Sequence, residues 1–163
     1  MKKFRYSRES NDVRIPTKTE GNAGRDIYAF FTEERIVIEP HSTVMVPTGL
    51  RFWVPKGYYM QLFERGSTGV KGIAQRAGVI DESYTGQVFV PLTNTNDKCL
   101  IIAKQKYVTE EDLEKYIVYP YEKAICQGVI LPVPEFKDEE ISSNEIINRK
   151  TNRGEGALGS SGK

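Results

Sequence analysis

Gly78-Val79-Ile80-Asp81-Glu82-Ser83-Tyr84-Thr85-Gly86 is a turn between two strand-like arms. Apolar residues lead in, and Gln87-Val88-Phe89-Val90-Pro91-Leu92-Thr93-Asn94 leads away. Short apolar runs around a Gly- and Asp-bearing tip predict a β-hairpin. A carboxylate at such a tip is held by a rigid ladder yet reaches open space, where loops carry chemistry. Alone, Asp81 reads as a surface turn acid. Four other segments give it a different weight.

Upstream, the chain is a succession of short apolar runs with Pro and Gly between them. Ile36-Val37-Ile38, Thr43-Val44-Met45-Val46, Leu50-Arg51-Phe52-Trp53-Val54 and Tyr58 to Phe63 all fit this description. Runs of this length at this spacing predict a sandwich or barrel, not βαβ units. Pro55-Lys56-Gly57 is a turn in which Pro sets φ and Gly opens the backbone. Trp53 is expected in the core. A short strand is expected near Val13-Arg14-Ile15.

Two upstream segments break the pattern. In Ala23-Gly24-Arg25-Asp26-Ile27 a small residue and a glycine allow close backbone approach, and an acid follows. Glu64-Arg65-Gly66-Ser67-Thr68-Gly69-Val70-Lys71-Gly72 is small, hydroxylic and basic. It is either a flexible surface loop or a phosphate cradle of backbone N–H groups, hydroxyls and a bidentate arginine.

Downstream, Cys99 to Ala103 reads as a strand, and Thr109 to Tyr116 as a short charged surface helix with a Thr N-cap and acids in its first turn. Ala124 to Leu131 is nearly all apolar and reads as a buried strand whose odd member, Gln127, needs a hydrogen-bond partner. The tail from Arg153 to Lys163 is rich in Gly and Ser and cannot offset its own ordering entropy. Gly154-Glu155-Gly156-Ala157-Leu158-Gly159 matches the dinucleotide fingerprint literally, but the sequence stops four residues later, leaving no room for the helix that motif requires. As a Walker A loop it fails too, with Ala157 at the first glycine position.

The whole chain bounds these readings. At 163 residues, 39% hydrophobic and 28% charged, it is expected to form one soluble globular domain over 1–152, with residues 153–163 as a flexible C-terminal flap. A formal net charge of +1 provides no global attraction for nucleic acid or membrane. The basic start has no hydrophobic segment behind it, and no run is long enough to span a bilayer, so a cytoplasmic location is expected. Cys99 and Cys126 are expected to be buried reduced thiols. The one histidine, His41, lies in a turn, which argues against a His-based triad or zinc site.

Five segments in order resemble the five motifs of the trimeric dUTPases, the deoxyuridine triphosphate nucleotidohydrolases. They are Ala23–Ile27, Arg65–Gly72, Gly78–Gly86, Ala124–Gln127 and the Arg153–Gly162 tail. The resemblance implies an all-β, jelly-roll-like barrel forming a homotrimer with sites at subunit interfaces, hydrolysing dUTP to dUMP and pyrophosphate with Mg²⁺ on the triphosphate. Carried over by position, Asp81 is the base that activates water against the α-phosphorus. Tyr84 lies under the deoxyribose and leaves no room for a 2′-hydroxyl. Gly78, Val79 and Ile80 offer backbone to the uracil edge. Arg65, Gly66, Ser67, Thr68 and Gln127 line the phosphates, with Arg65 also assisting catalysis. Asp26 acts near the metal through a water. Arg153, Leu158, Gly159, Ser160 and Ser161 close over the nucleotide.

Three departures stand out. The family has serine directly after the second-motif arginine, whereas here Gly66 intervenes and the hydroxyl comes at Ser67. The tail aromatic is Leu158, beside Ala157 where glycine is usual. An insert at about 95–120 carries the charged helix. Two other readings remain on the sequence alone: a dCTP deaminase relative sharing the barrel, and a dUTPase-like binding module engaging a regulatory protein through the insert.

Overall fold

The computed structural model describes residues 3–151, 154 and 156. Two compact units result, residues 1–133 and 134–163. The first is mostly β and jelly-roll-like, with strands β1 (Arg5–Arg8), β2 (Arg25–Tyr28), β3 (Arg35–Ile38), β4 (Thr43–Pro47), β5 (Leu50–Trp53), β6 (Tyr58–Phe63), β7 (Ile73–Gln75), β8 (Val79–Ile80), β9 (Phe89–Asn94), β10 (Leu100–Ala103), β11 (Ile117–Pro120) and β12 (Ala124–Pro132). They lie in four sheets ordered β1-β5, β11-β10-β3, β2-β12-β6-β8 and β4-β9-β7.

Apolar periodicity explains most of these elements. β5 (Leu50–Trp53) alternates, burying Leu50 and Phe52 and exposing Arg51 and Trp53. β10 (Leu100–Ala103) is buried at every position, as expected for a strand covered on both faces. It pairs antiparallel with β3 (Arg35–Ile38) and parallel with β11 (Ile117–Pro120). β12 (Ala124–Pro132) is the longest strand and runs between β2 (Arg25–Tyr28) and β6 (Tyr58–Phe63). Ile27, Met60, Leu62, Leu92, Leu100, Ile102 and Ile125 form the centre of the core.

The expected hairpin is corrected. β8 (Val79–Ile80) pairs with β6, and β9 (Phe89–Asn94) pairs with β4 (Thr43–Pro47) and β7 (Ile73–Gln75). The two arms therefore lie in different sheets. Alternation marks a strand without naming its partner. Gly78 makes the closer approach possible: its φ is +146°, its carbonyl accepts from Leu62 N–H at 2.7 Å, and a Cβ there would stand 2.8 Å from Leu62 O. Asp81 thus leaves from an edge strand.

Other expectations shift for similar reasons. No strand forms at Val13–Ile15, although Val13 is buried. The N-terminal strand is β1 (Arg5–Arg8), exposed throughout and paired with β5, so no apolar alternation marked it. Trp53 is 67% exposed, with the Arg5 guanidinium 5.1 Å from its ring centre. Cys126 is fully buried, but Cys99 is only half-buried, and both are free thiols. Among the described residues, no helix is long and apolar enough to cross a membrane.

One acid ties the charged helix to β3, and the stretch at about 95–120 also supplies the core strands β10 and β11. α2 (Glu110–Lys115) begins at Thr109, whose hydroxyl accepts from Asp112 N–H, while the Asp112 carboxylate accepts from Thr109 N–H at 2.9 Å. Asp112 is buried and also accepts from Arg35 Nη1 on β3 at 2.6 Å. The Arg35 hydrogen bond, followed by the backbone bond from Thr109, lowers its pKa from 3.8 to about 2. A depressed folded-state pKa adds stability above the unfolded value that is lost as pH falls through the folded one. Asp112→Asn should therefore lower the melting temperature at neutral pH, and its deficit against wild type should shrink between about pH 4 and 2. Thermal melts across that window check this.

The second unit holds α3 (Ser143–Ile147), capped by Ser142, whose hydroxyl accepts from Glu145 N–H at 3.3 Å. The Ser142-x-x-Glu145 capping box before Ile146 and Ile147 is the sequence signal for this helix. Phe136, Ile141, Ile146 and Ile147 of this unit are exposed.

Candidate active site

Three of the sequence segments converge on one edge of the four-stranded sheet. Asp26 on β2 stands opposite Gln127 on β12, and Gln127 opposite Phe63 on β6. Side chains directly opposite across a ladder share a face. Two residues beyond Phe63, Arg65 turns its guanidinium onto Asp26. Its Nε reaches Oδ1 at 3.0 Å and its Nη2 reaches Oδ2 at 3.1 Å, a bidentate fork. Arg65 Nη1 also donates to Ser67 Oγ at 3.0 Å and to Ala124 O at 3.2 Å.

The segment read as a loop or cradle is a single helical turn, α1 (Gly66–Gly69). Thr68 is buried; its hydroxyl accepts from Arg65 N–H and donates to Arg65 O at 2.7 Å. It therefore caps the turn instead of facing outward. Ser67 and Gly66 are exposed. Gln127 is half-buried and donates to Glu64 O at 2.9 Å, which is the partner its position called for. Gly24 packs against it, since a Cβ there would come within 2.8 Å of Gln127 Oε1. A side chain at residue 24 would displace the Gln127 amide from its place beside Glu64.

The turn after β8 forms a separate cluster. Asp81 is exposed, and its carbonyl accepts from Tyr84 N–H at 3.2 Å. Tyr84 is 44% exposed and donates its hydroxyl to Gln87 O at 2.8 Å. Its ring leaves no room for a side chain at residue 86, where a Cβ would meet the phenol oxygen at 2.5 Å. Glu82 accepts from Gly57 N–H at 2.7 Å, tying the turn to the β5–β6 loop. A cavity of about 420 Å³ opens beside it, with Tyr84, Glu82, Trp53 and Arg51 on its wall.

Within one chain these clusters do not meet. β2 and β8 are the opposite edges of the four-stranded sheet, three strand spacings apart. At about 4.8 Å per spacing the two edges are roughly 14 Å apart laterally, and the registers put Asp26 level with Phe63 of β6 but Asp81 beyond Met60, several residues further along. Arg153, Leu158, Gly159, Ser160 and Ser161 fall outside the described residues.

A family model for dUTPase matches residues 11–109. The deoxyuridine 5'-triphosphate nucleotidohydrolase of Kluyveromyces lactis is 35% identical, over 94% of this chain and 90% of that one. The chain belongs to the dUTPase family. The dUTPase of Staphylococcus bacteriophage 80alpha, solved with dUPNHPP, superposes with a TM-score of 0.74 at 24% identity and covers all of both chains. That of phage phi11 of S. aureus, described with a structural Mg(II) ion, has a TM-score of 0.68 at 19% identity, covering 88% of this chain and 99% of that one.

As a dUTPase, this chain keeps the second-motif arginine but has Gly66 where the family pattern places serine. The space is open: a Cβ at Gly66 meets nothing within 4 Å. The hydroxyl at Ser67 is held by the same arginine instead. The sequence did not show that Asp26 and Arg65 pair with each other. Sign and proximity to glycine turns were the available signals, and neither fixes a contact between residues so far apart in the chain.

Proposed function

We propose that the chain hydrolyses dUTP to dUMP and pyrophosphate in sites shared between copies of a homotrimer. The observation that supports this best is the separation of the two clusters. One carries the arginine, the hydroxyl and the acid suited to phosphates. The other carries an exposed carboxylate beside a tyrosine and close-packed backbone suited to a nucleoside. Each is incomplete, and the family resemblance puts sites at subunit interfaces. Symmetry then completes every site equally, since each copy offers both halves.

In that site Asp81 takes a proton from water as general base. The water oxygen bonds to the α-phosphorus, the bond to the bridging oxygen breaks, and pyrophosphate leaves. Arg65 and Ser67 hold the phosphate oxygens while charge shifts onto the leaving group. Tyr84 packs against the deoxyribose, where a 2′-hydroxyl would clash. Backbone at Gly78, Val79 and Ile80 pairs with the uracil edge. Cytosine would present a donor where the site offers one, so discrimination should be steep. Arg153, Leu158, Gly159 and the hydroxyls of Ser160 and Ser161 close over the nucleotide. The reaction would keep uracil out of DNA and supply dUMP for thymidylate synthesis in the cytoplasm.

Mg²⁺ fits as an ion carried by the substrate. Among the described residues, no three His, Cys, Asp or Glu side chains gather to hold a metal. Mg²⁺ binds readily through phosphate oxygens, waters and one or two carboxylates. Both Asp26 oxygens already accept from Arg65, so Asp26 would approach the ion through a water. When bound, the ion neutralises triphosphate charge.

Mixing two inactive variants tests the shared site. Asp81→Asn and Arg65→Ala chains should each release little pyrophosphate from dUTP. Refolded together, they should recover activity, with roughly a quarter of sites drawing intact halves from different chains. Failure of the mixture to exceed its components would place both halves in one chain and remove the interface reading.

A further inference from the structure

We propose that Tyr119, on the core strand β11, is a positioning residue for the phosphate half of the site and acts through Arg65. The inference rests on the function proposed for that half-site.

Tyr119 sits on β11 opposite Ile102 of β10 and is 1% exposed. Its hydroxyl donates to Ala124 O at 2.6 Å. That same carbonyl accepts from Arg65 Nη1 at 3.2 Å, and Nη1 also reaches Ser67 Oγ. A carbonyl oxygen has two lone pairs, and here both are taken. Ala124 lies beside the register shift of β12 against β2, where the ladder is irregular. A second donor fixes the direction of a carbonyl that the ladder holds less firmly. Arg65 is thereby held on three sides: by the Asp26 fork, by Ser67 and by a carbonyl that Tyr119 anchors.

Two further observations agree. Burial, the largest cause, pushes the Tyr119 phenol above its ordinary pKa, while Ser67 and Arg65 nearby work the other way. The phenol therefore keeps its proton and remains a donor throughout the neutral range. The hydroxyl is also the one polar side-chain group in the run Ile117-Val118-Tyr119.

Tyr119→Phe keeps the ring and its packing and removes only the donor. We expect kcat/KM for dUTP to fall by about fivefold, the size of one neutral hydrogen bond. A double-mutant cycle with Arg65→Lys, read as the Kd of a non-hydrolysable dUTP analogue by calorimetry, separates positioning from packing. Lysine keeps the charge but cannot be oriented as a fork. The Tyr119→Phe loss should vanish in the Arg65→Lys background. An equal loss in both backgrounds, or no loss beside wild-type Arg65, would overturn the assignment. A wild-type chain that releases no pyrophosphate from dUTP would instead overturn the underlying function.

Discussion

Asp81→Asn should lower turnover of dUTP by about 10²–10⁴-fold, the range for loss of a general base. The substitution preserves shape and removes the charge. Asp81 is exposed on an edge-strand turn, and the contact that shapes this turn is made by its backbone carbonyl to Tyr84 N–H, which asparagine retains. The fold and the nucleoside pocket should survive, so affinity for a non-hydrolysable analogue should stay near the wild-type value. Steady-state kinetics beside calorimetry distinguish the cases. A loss confined to kcat assigns Asp81 to the chemical step. A matching loss of affinity would make it a binding group, and full activity would remove it from the mechanism.

Arg65→Ala should be nearly as damaging to turnover, by about 10²–10³-fold, comparable to removing one preorganised donor from a charge-stabilising site. It should also cost stability, which Asp81→Asn should not. Four hydrogen bonds end on this guanidinium. Removing it leaves the Asp26 carboxylate without its fork partner. The pair is partly open to solvent, with Arg65 at 27% and Asp26 at 35% side-chain exposure, so water screens part of the loss. A cost of about 1–3 kcal/mol is expected from the charged hydrogen bonds. Urea midpoints measure it. Arg65→Lys should recover little of either loss, because an ammonium is a point charge without the planar fork that meets the carboxylate edge-on while a third N–H group reaches the carbonyl. A lysine variant as active as wild type would show that charge alone is needed and that the fork is incidental.

Much of this was legible in the residues, and the exceptions have physical causes. β6 and α2 are where apolar runs and the Thr109 cap put them. The alternation in Leu50-Arg51-Phe52-Trp53 carried the right answer for Trp53, which shares a face with Arg51 and points outward with it. The arms around Asp81 were recognised as strands but paired wrongly, because adjacency along the chain suggests a hairpin and Gly78 instead delivers its strand to β6. β1 and α3 are polar or exposed along their length and offered no periodic signal.

The site divides in the same way. Asp26, Arg65 and Ser67 are marked by residue type near glycine and Gln127 as the polar member of an apolar strand, and the structure brings them together. Thr68 was picked out on the same grounds, yet its hydroxyl is taken by the backbone of its own turn. Tyr119 was missed. No motif contains it, and its importance depends on a carbonyl at Ala124 that only the folded chain brings near.

The most direct test of the central claim is pyrophosphate release from dUTP, dCTP, dTTP and UTP with Mg²⁺, each at equal concentration. Release from dUTP alone is the predicted result: in the proposed site the Tyr84 ring would leave no room for a ribose hydroxyl, the backbone at 78–80 would mismatch the cytosine edge, and the depth of the turn would exclude the thymine methyl. Release from none of the four, or ammonia from dCTP, would contradict it.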